Sequence, residues 1–289
     1  MNVLAIRGSG TIGRSCFLWG FFGMLNLKQL KLVLLDMDGV LHRGGEILPG
    51  AAELTTVLDR LGLGYACLTN NSSQLPATFA RHLQDLGVAI APEHVITSST
   101  ATATLLRTRY PQGTRLLAIG MDGIQSSLFA DRYFVSAETD VAAVVVGVDF
   151  NLTYARLKTA TLALRAGAAF IATNSDRTFP APEGLIPGAG SIVAALAAAS
   201  DCTPEVIGKP EPAMFEAALQ LFGVTAEQTL MVGDRLDTDI AGAQRVGIAT
   251  AFVGSGVHSM QQAQAWQPAI DLVADDLAGI LALLRAGRE

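Results

Sequence analysis

Leu32-Val33-Leu34-Leu35-Asp36-Met37-Asp38-Gly39-Val40-Leu41 is the stretch whose reading decides the fold. Four consecutive apolar residues leave no alternation for a strand with one wet face. Such a run is buried on both faces, as in a parallel sheet covered by helices. Two carboxylates follow at once, and Gly39 turns the chain. Ligands of open parallel sheets bind beyond the carboxyl ends of the strands. Asp36 and Asp38 therefore stand where such a fold does its chemistry.

The pattern repeats outward from there. Leu54, Val57, Leu58 and Leu61 form a helical stripe that Gly62 ends, and Tyr65-Ala66-Cys67-Leu68 is the next strand. Glu205-Val206-Ile207, Thr229-Leu230-Met231-Val232 and Thr250-Ala251-Phe252-Val253 read as later strands of the same sheet. Met214, Ala217, Ala218 and Leu221 make a helix between them, stopped by Gly223. Strand and helix in alternation predict an α/β fold, a three-layer Rossmann-like parallel sheet with helices on both faces. The middle of the chain alternates by itself, with strands at 115–119, 142–148 and 168–173 and helices at 155–166 and 191–199. It is expected to bury its own core as an inserted α/β domain over residues 113–203, within a core domain of residues 24–112 and 204–289.

Each buried run of the core is followed by polar groups suited to one task. Asp36 and Asp38 follow the first, and Thr69-Asn70-Asn71-Ser72 the second. Gly208-Lys209-Pro210-Glu211-Pro212 follows the third. Gly233-Asp234-Arg235-Leu236-Asp237-Thr238-Asp239-Ile240 follows the fourth. Acids hold a hard cation through oxygen, a hydroxyl binds a phosphate oxygen, and a lysine neutralises a phosphate. Singly, each has a plain structural reading as a turn, a cap or a solvated charge.

Taken together, these four stretches resemble the haloacid dehalogenase superfamily of phosphatases. With Ala172-Thr173-Asn174-Ser175-Asp176 they are similar to its NagD-like and 4-nitrophenylphosphatase-like branch with a type IIA cap. In that branch the cap is inserted between the second and third motifs, where the alternation places the inserted domain. The resemblance covers nearly everything from about Lys28 onward. It implies a magnesium-dependent phosphatase that hydrolyses small phosphate monoesters through an aspartyl-phosphate. Asp36 would be the nucleophile, and Asp38 the acid for the leaving oxygen and then the base for water. The carboxylates of Asp36 and Asp234 and the backbone carbonyl of Asp38 would ligate Mg2+, with Asp239 in support. Thr69, Asn70 and Lys209 would bind the phosphoryl group. Asn174 and Asp176 lie in a cap loop that faces the active site in the family, which makes them expected substrate contacts. Ser175 stands where the family often has proline. Family members often pair through their caps, so a homodimer is expected there.

The bulk properties agree with a small phosphorylated metabolite as partner. Half of the 289 residues are hydrophobic, enough for a sizeable core, and the formal net charge of −6 opposes nucleic-acid binding. Cys16, Cys67 and Cys202 are too scattered for a metal site or disulfide framework, which suits a reducing cytoplasm. Residues 1–23 differ from the rest, with Phe17, Trp19, Phe21 and Phe22 crowded together. Gly20 and Gly23 break this apolar stretch, which is too short to span a membrane. Met24 is expected to be the natural start, with residues 1–23 disordered or not native.

Several features are weighed against these readings. Gly8-Ser9-Gly10-Thr11-Ile12-Gly13 matches a dinucleotide fingerprint after Val3-Leu4-Ala5-Ile6, but Gly20 and Gly23 spoil the helix that this motif needs. A dinucleotide-binding oxidoreductase is one alternative; a non-catalytic phosphate-binding or dimerisation module is another. Met121-Asp122-Gly123 lacks an acid before it, since Gly120 stands there, and reads as a turn. Asp237 reads as a solvated helix-start charge, and His42 is a candidate to line the entrance.

Overall fold

A computed structural model of the chain describes Leu4–Ala5, Phe17–Leu18, residues 25–181 and residues 183–288. Gly8 to Gly13 and Met24 lie outside the described residues. The chain divides into two compact units. One comprises Met1–Leu68, Ala80–Val95 and Ala218–Glu289; the other comprises Thr69–Phe79 and Ile96–Ala217.

The first unit is organised by an eight-stranded sheet, of whose residues Thr69, Ile96 and Thr97 are counted in the second unit. Its order is Leu4–Ala5, Phe17–Leu18, Leu272–Ala274, Ala249–Val253, Thr229–Gly233, Leu32–Leu35, Gly64–Thr69 and Val95–Thr97. Phe17–Leu18 pairs antiparallel with Leu4–Ala5 and, through Phe17, with Val273. The strands from Leu272–Ala274 to Gly64–Thr69 run parallel. Leu32–Leu35 is central: Leu35 faces Val232 on one neighbour and Cys67 on the other. Its four side chains are at most 1% exposed, and each such burial is worth about 2 kcal/mol. Helix Ala241–Arg245 packs on strand Ala249–Val253, and helix Leu277–Arg288 on that strand and on Leu272–Ala274. Among the described residues no helix is long and apolar enough to cross a membrane.

The second unit has its own five-stranded parallel sheet. Its order is Glu205–Val206, Ala169–Ala172, Ala143–Val146, Arg115–Ile119 and Val135–Ser136. Helices Tyr154–Arg165 and Ala189–Ser200 close a core of Ile119, Val144, Val146, Leu164, Phe170 and Leu196. Strands Thr178–Ala181 and Gly184–Pro187 pair antiparallel as a separate ribbon.

Three expectations need correction. Glu205–Val206 was expected in the first sheet, but it pairs with Ile171 and Ala172 in the second. A two-residue strand carries too little pattern to name its partner, and here Arg109 grips Glu205 with two hydrogen bonds of 2.6 and 2.7 Å. In the helix Pro212–Phe222, Leu221 is 62% exposed, while Phe215 joins Met214 and Ala218 in the core. Asp122 and Gly123 are no turn but open the helix Asp122–Phe129, with Met121 as its N-cap.

Candidate active site

Asp36 continues the central strand by one residue, since its backbone N–H donates to the Val232 carbonyl at 2.9 Å. Asp234 directly follows the neighbouring strand Thr229–Gly233. Pairing of Leu35 with Val232 puts both acids at the same sheet edge. Asp239 arrives by a wider turn, Leu236–Ile240, in which Ile240 N–H donates five residues back to the Arg235 carbonyl. Such π-type turns often occur at functional sites. The wide turn folds Asp239 inward, where its carboxylate accepts from Arg235 N–H at 3.1 Å.

One carboxylate oxygen from each of Asp36, Asp234 and Asp239 lies within 4.8 Å of the other two. All three residues are buried, at 9%, 1% and 1% exposure. Buried like charges at this spacing are costly unless a cation or protons balance them. Three carboxylates form an all-oxygen donor set, which suits a hard divalent cation such as Mg2+ or Ca2+. The residues present thus fit the metal expected of the sequence.

The next loop clasps Asp234. Val257 N–H donates to Asp234 Oδ2 at 2.6 Å, and His258 N–H donates to its carbonyl at 3.3 Å. Ser255 Oγ donates to the Gly39 carbonyl at 2.7 Å, and Arg43 Nη2 to the Gly256 carbonyl at 2.7 Å. Gly39 is required twice over: its φ of +83° suits glycine, and a Cβ there would lie 2.6 Å from Asp234 Oδ2. A Cβ at Gly256 would overlap the same carboxylate.

Asp38 is placed differently. Its side chain is 65% exposed and its carboxylate does not belong to the acidic cluster. His42 Nε2 is 3.8 Å from Asp38 Oδ1, too far for a hydrogen bond. The His42 ring meets His82 edge-on, with centroids 5.3 Å apart. Burial pushes the His42 imidazole below its ordinary pKa; Asp38 opposes this and His82 adds to it. The ring is thus biased towards its neutral form. Asp237 is exposed and paired with Arg235. Burial pulls its pKa up, but the Arg235 hydrogen bond and charge, with His258, outweigh that and hold it below the usual carboxylate range.

Thr69, Asn70, Lys209, Asn174 and Asp176 all belong to the second unit. Thr69 is buried, and its Oγ1 accepts from Asn71 N–H at 3.1 Å. Lys209 is 2% exposed. Asn70 Nδ2 donates to the Lys209 carbonyl at 2.9 Å and to Asp176 Oδ2 at 3.3 Å. Asn174 Nδ2 donates to the Asn70 carbonyl at 2.8 Å, and its Oδ1 accepts from Asp176 N–H at 3.1 Å.

Two groups escaped the sequence reading. Ser98 Oγ donates to the Asn70 carbonyl at 2.6 Å. A capping box between Thr97 and Thr100 starts the helix Ser98–Arg109 and fixes that hydroxyl in place. The other group is the Ser255–Gly256–Val257 clasp. It follows the strand Ala249–Val253, and asking what comes after that buried run, as for the other strands, would have found it. Of the thiols, Cys67 is buried and Cys202 only half-buried.

Comparison with known proteins shows the family. A haloacid dehalogenase-like hydrolase family model matches residues 33–132, and a HAD-hydrolase-like model matches residues 206–280. An acid sugar phosphatase of Staphylococcus aureus is 34% identical over 238 residues, which are 82% of this chain and 92% of that protein. The crystal structure of a 4-nitrophenylphosphatase from Thermotoga maritima superposes with a TM-score of 0.82 at 34% identity, covering 89% of this chain and 98% of that one. A glycerol phosphate phosphatase from Mycobacterium tuberculosis, solved in complex with calcium, gives a TM-score of 0.81 at 34% identity over 89% of this chain and 76% of that one. The chain belongs to the haloacid dehalogenase-like hydrolases, in their NagD-like branch of phosphoric monoester hydrolases.

Proposed function

We propose that this phosphatase hydrolyses small phosphate monoesters through an aspartyl-phosphate on Asp36. The observation that carries the reading is the buried convergence of Asp36, Asp234 and Asp239, with exposed Asp38 two residues past Asp36. Asp36, Asp234 and the backbone carbonyl of Asp38 would hold Mg2+, with Asp239 in support. The bound cation supplies the positive charge that lets an anionic nucleophile approach a phosphate dianion.

Asp36 attacks phosphorus through a carboxylate oxygen. The bond from phosphorus to the ester oxygen breaks, and Asp38 gives its proton to the leaving alkoxide. Asp38, now ionised, takes a proton from water as that water attacks phosphorus. The bond from phosphorus to Asp36 then breaks, releasing inorganic phosphate and restoring both acids. The exposure of Asp38 suits a group that trades protons with substrate and solvent. Thr69 and Lys209 would bind the transferring phosphoryl group.

The substrate class is a small phosphorylated metabolite, with sugar and polyol phosphates first in line from the names of the relatives. A cytoplasmic location, a core of residues 24–112 and 204–289, and a homodimer through a cap at 113–203 belong to the same reading. Light scattering of the protein and of the isolated cap would check the pairing. A non-catalytic phosphate binder would have no use for a second acid at Asp38. Removal of residues 1–23 tests the dinucleotide alternative, because a phosphatase keeps its activity. The main test is phosphate release from 4-nitrophenyl phosphate with magnesium and with chelator: release only with the metal is expected, and no release in either condition would defeat the reading.

A further inference from the structure

Asn70 stands next to Thr69, and its amide orientation is fixed by its neighbours. Nδ2 donates to the Lys209 carbonyl and to an Asp176 carboxylate oxygen. The flipped amide would aim its oxygen at both acceptors, so only one orientation is stable. Both Nδ2 hydrogens are then used. What is left of the amide is Oδ1, a buried acceptor with no hydrogen-bond partner among the described residues. It lies against Gly208, where a Cβ would come within 2.7 Å of it. An acceptor oxygen cannot bind the oxygen of a phosphate dianion.

Asn174 is committed in the same way. It is 4% exposed. Its two N–H groups go to the Asn70 carbonyl at 2.8 Å and to Thr173 Oγ1 at 3.4 Å, and its Oδ1 accepts from Asp176 N–H. Ser98 Oγ supplies the second hydrogen bond to the Asn70 carbonyl. Neither amide side chain has a donor left for a ligand.

We infer that Asn70, Asn174 and Asp176 are positioning residues: a half-buried tie that fixes the Thr69–Asn70 loop against the Lys209 backbone and does not discriminate between substrates. The inference rests on the reading of Thr69 and Lys209 as phosphoryl-binding groups. It departs from the sequence expectation that these three residues contact substrate. A substrate contact acts on one ester more than another. A tie acts on the common phosphoryl group and lowers turnover of every ester alike.

The test is kcat/KM over a series of phosphate monoesters with leaving groups of different size and charge, together with inhibition by inorganic phosphate. Asn70→Asp, Asn174→Ala and Asp176→Ala are expected to lose up to about 100-fold, by the same factor for each ester. Inorganic phosphate should inhibit each variant more weakly. Asp176→Asn keeps an oxygen to accept from Asn70 and should recover most of the loss. Ser98→Ala should give a smaller uniform loss, and it carries the test if a variant at Asn70 or Asn174 fails to fold in a thermal melt. A changed rank order of esters, or unchanged kcat/KM in folded variants, would overturn the inference. A wild-type protein that releases no phosphate from any ester would instead sink the phosphatase reading itself, and the inference with it.

Discussion

Asp36, Asp234 and Asp239 in the first unit gather buried negative charge within 4.8 Å, whereas Asn70 and Asn174 in the second are uncharged amides whose hydrogen bonds run mainly to protein groups. The difference separates two ways of building a functional site. The acids are held against their mutual repulsion by a rigid sheet edge and by the Val257 clasp. On the proposed reading they concentrate function at a cost in stability. On the inference above, the amides stabilise the fold that holds them, and their contribution to function would be indirect. Substitution should therefore have opposite signatures in the two regions.

The largest effect is expected at Asp36. Asp36→Asn should lower kcat by at least about 10^4-fold, the scale seen when a nucleophile is removed. In chelator its thermal midpoint should stay level or rise, because one buried charge is gone. A lower midpoint would break the comparison. Asp38→Asn should cost about 10^2- to 10^4-fold, and more with alkyl phosphates than with 4-nitrophenyl phosphate, whose leaving group needs little protonation. Equal losses on both would remove Asp38 as the acid.

The clasp gives the next test. Gly256→Ala forces a methyl group onto the Asp234 carboxylate and should weaken divalent-cation binding about 10- to 100-fold, as disturbed support of a metal ligand does. Calorimetric titration with Mg2+ or Mn2+ reads this without turnover, and unchanged affinity would show that the clasp is only structural. In the second unit Asn174→Ala should destabilise by about 1–3 kcal/mol in urea, since it strips a buried donor from the Asn70 carbonyl and an acceptor from Asp176 N–H. Stability equal to wild type would erase the contrast with Asp36.

The smallest effect concerns Arg109 and Glu205. The Arg109 hydrogen bond, opposed by burial and helped by its charge, holds the Glu205 carboxyl below its ordinary range. Stability from a lowered carboxylate pKa is fully present above the unfolded value of about 4.3. It is lost as pH falls through the lower folded value. Both side chains are more than a third exposed, so solvent screening leaves about 0.5 kcal/mol. Glu205→Gln should lose that amount near pH 7, with the gap to wild type closing below pH of about 4.

How much was legible in the sequence follows the range of the forces involved. Leu32–Leu35 announced a doubly buried strand because burial on both faces leaves a local signature, and Asp36 followed from chain order. Asp234 followed in the same way. Glu205–Val206 went to the wrong sheet because its partner, Ile171–Ala172, is more than 30 residues away in sequence and two residues hold no pattern. Leu221 and Phe215 exchanged roles because a four-residue stripe does not fix which side of a helix faces the core. Asn174 shows where sequence leaves a choice open, because a polar residue after a strand end has one signature in sequence and two fates. It either reaches a ligand or is consumed by neighbouring loops, and only the hydrogen-bond partners decide.

Trapping the covalent species tests the central claim most directly. The enzyme would be mixed with 4-nitrophenyl phosphate and magnesium, quenched in acid within the first turnover, digested, and its peptides weighed. One phosphoryl group is expected on the peptide that carries Asp36, formed with a burst of 4-nitrophenolate and missing from Asp36→Asn. Phosphate on any other residue, or full turnover by Asp36→Asn, would contradict it.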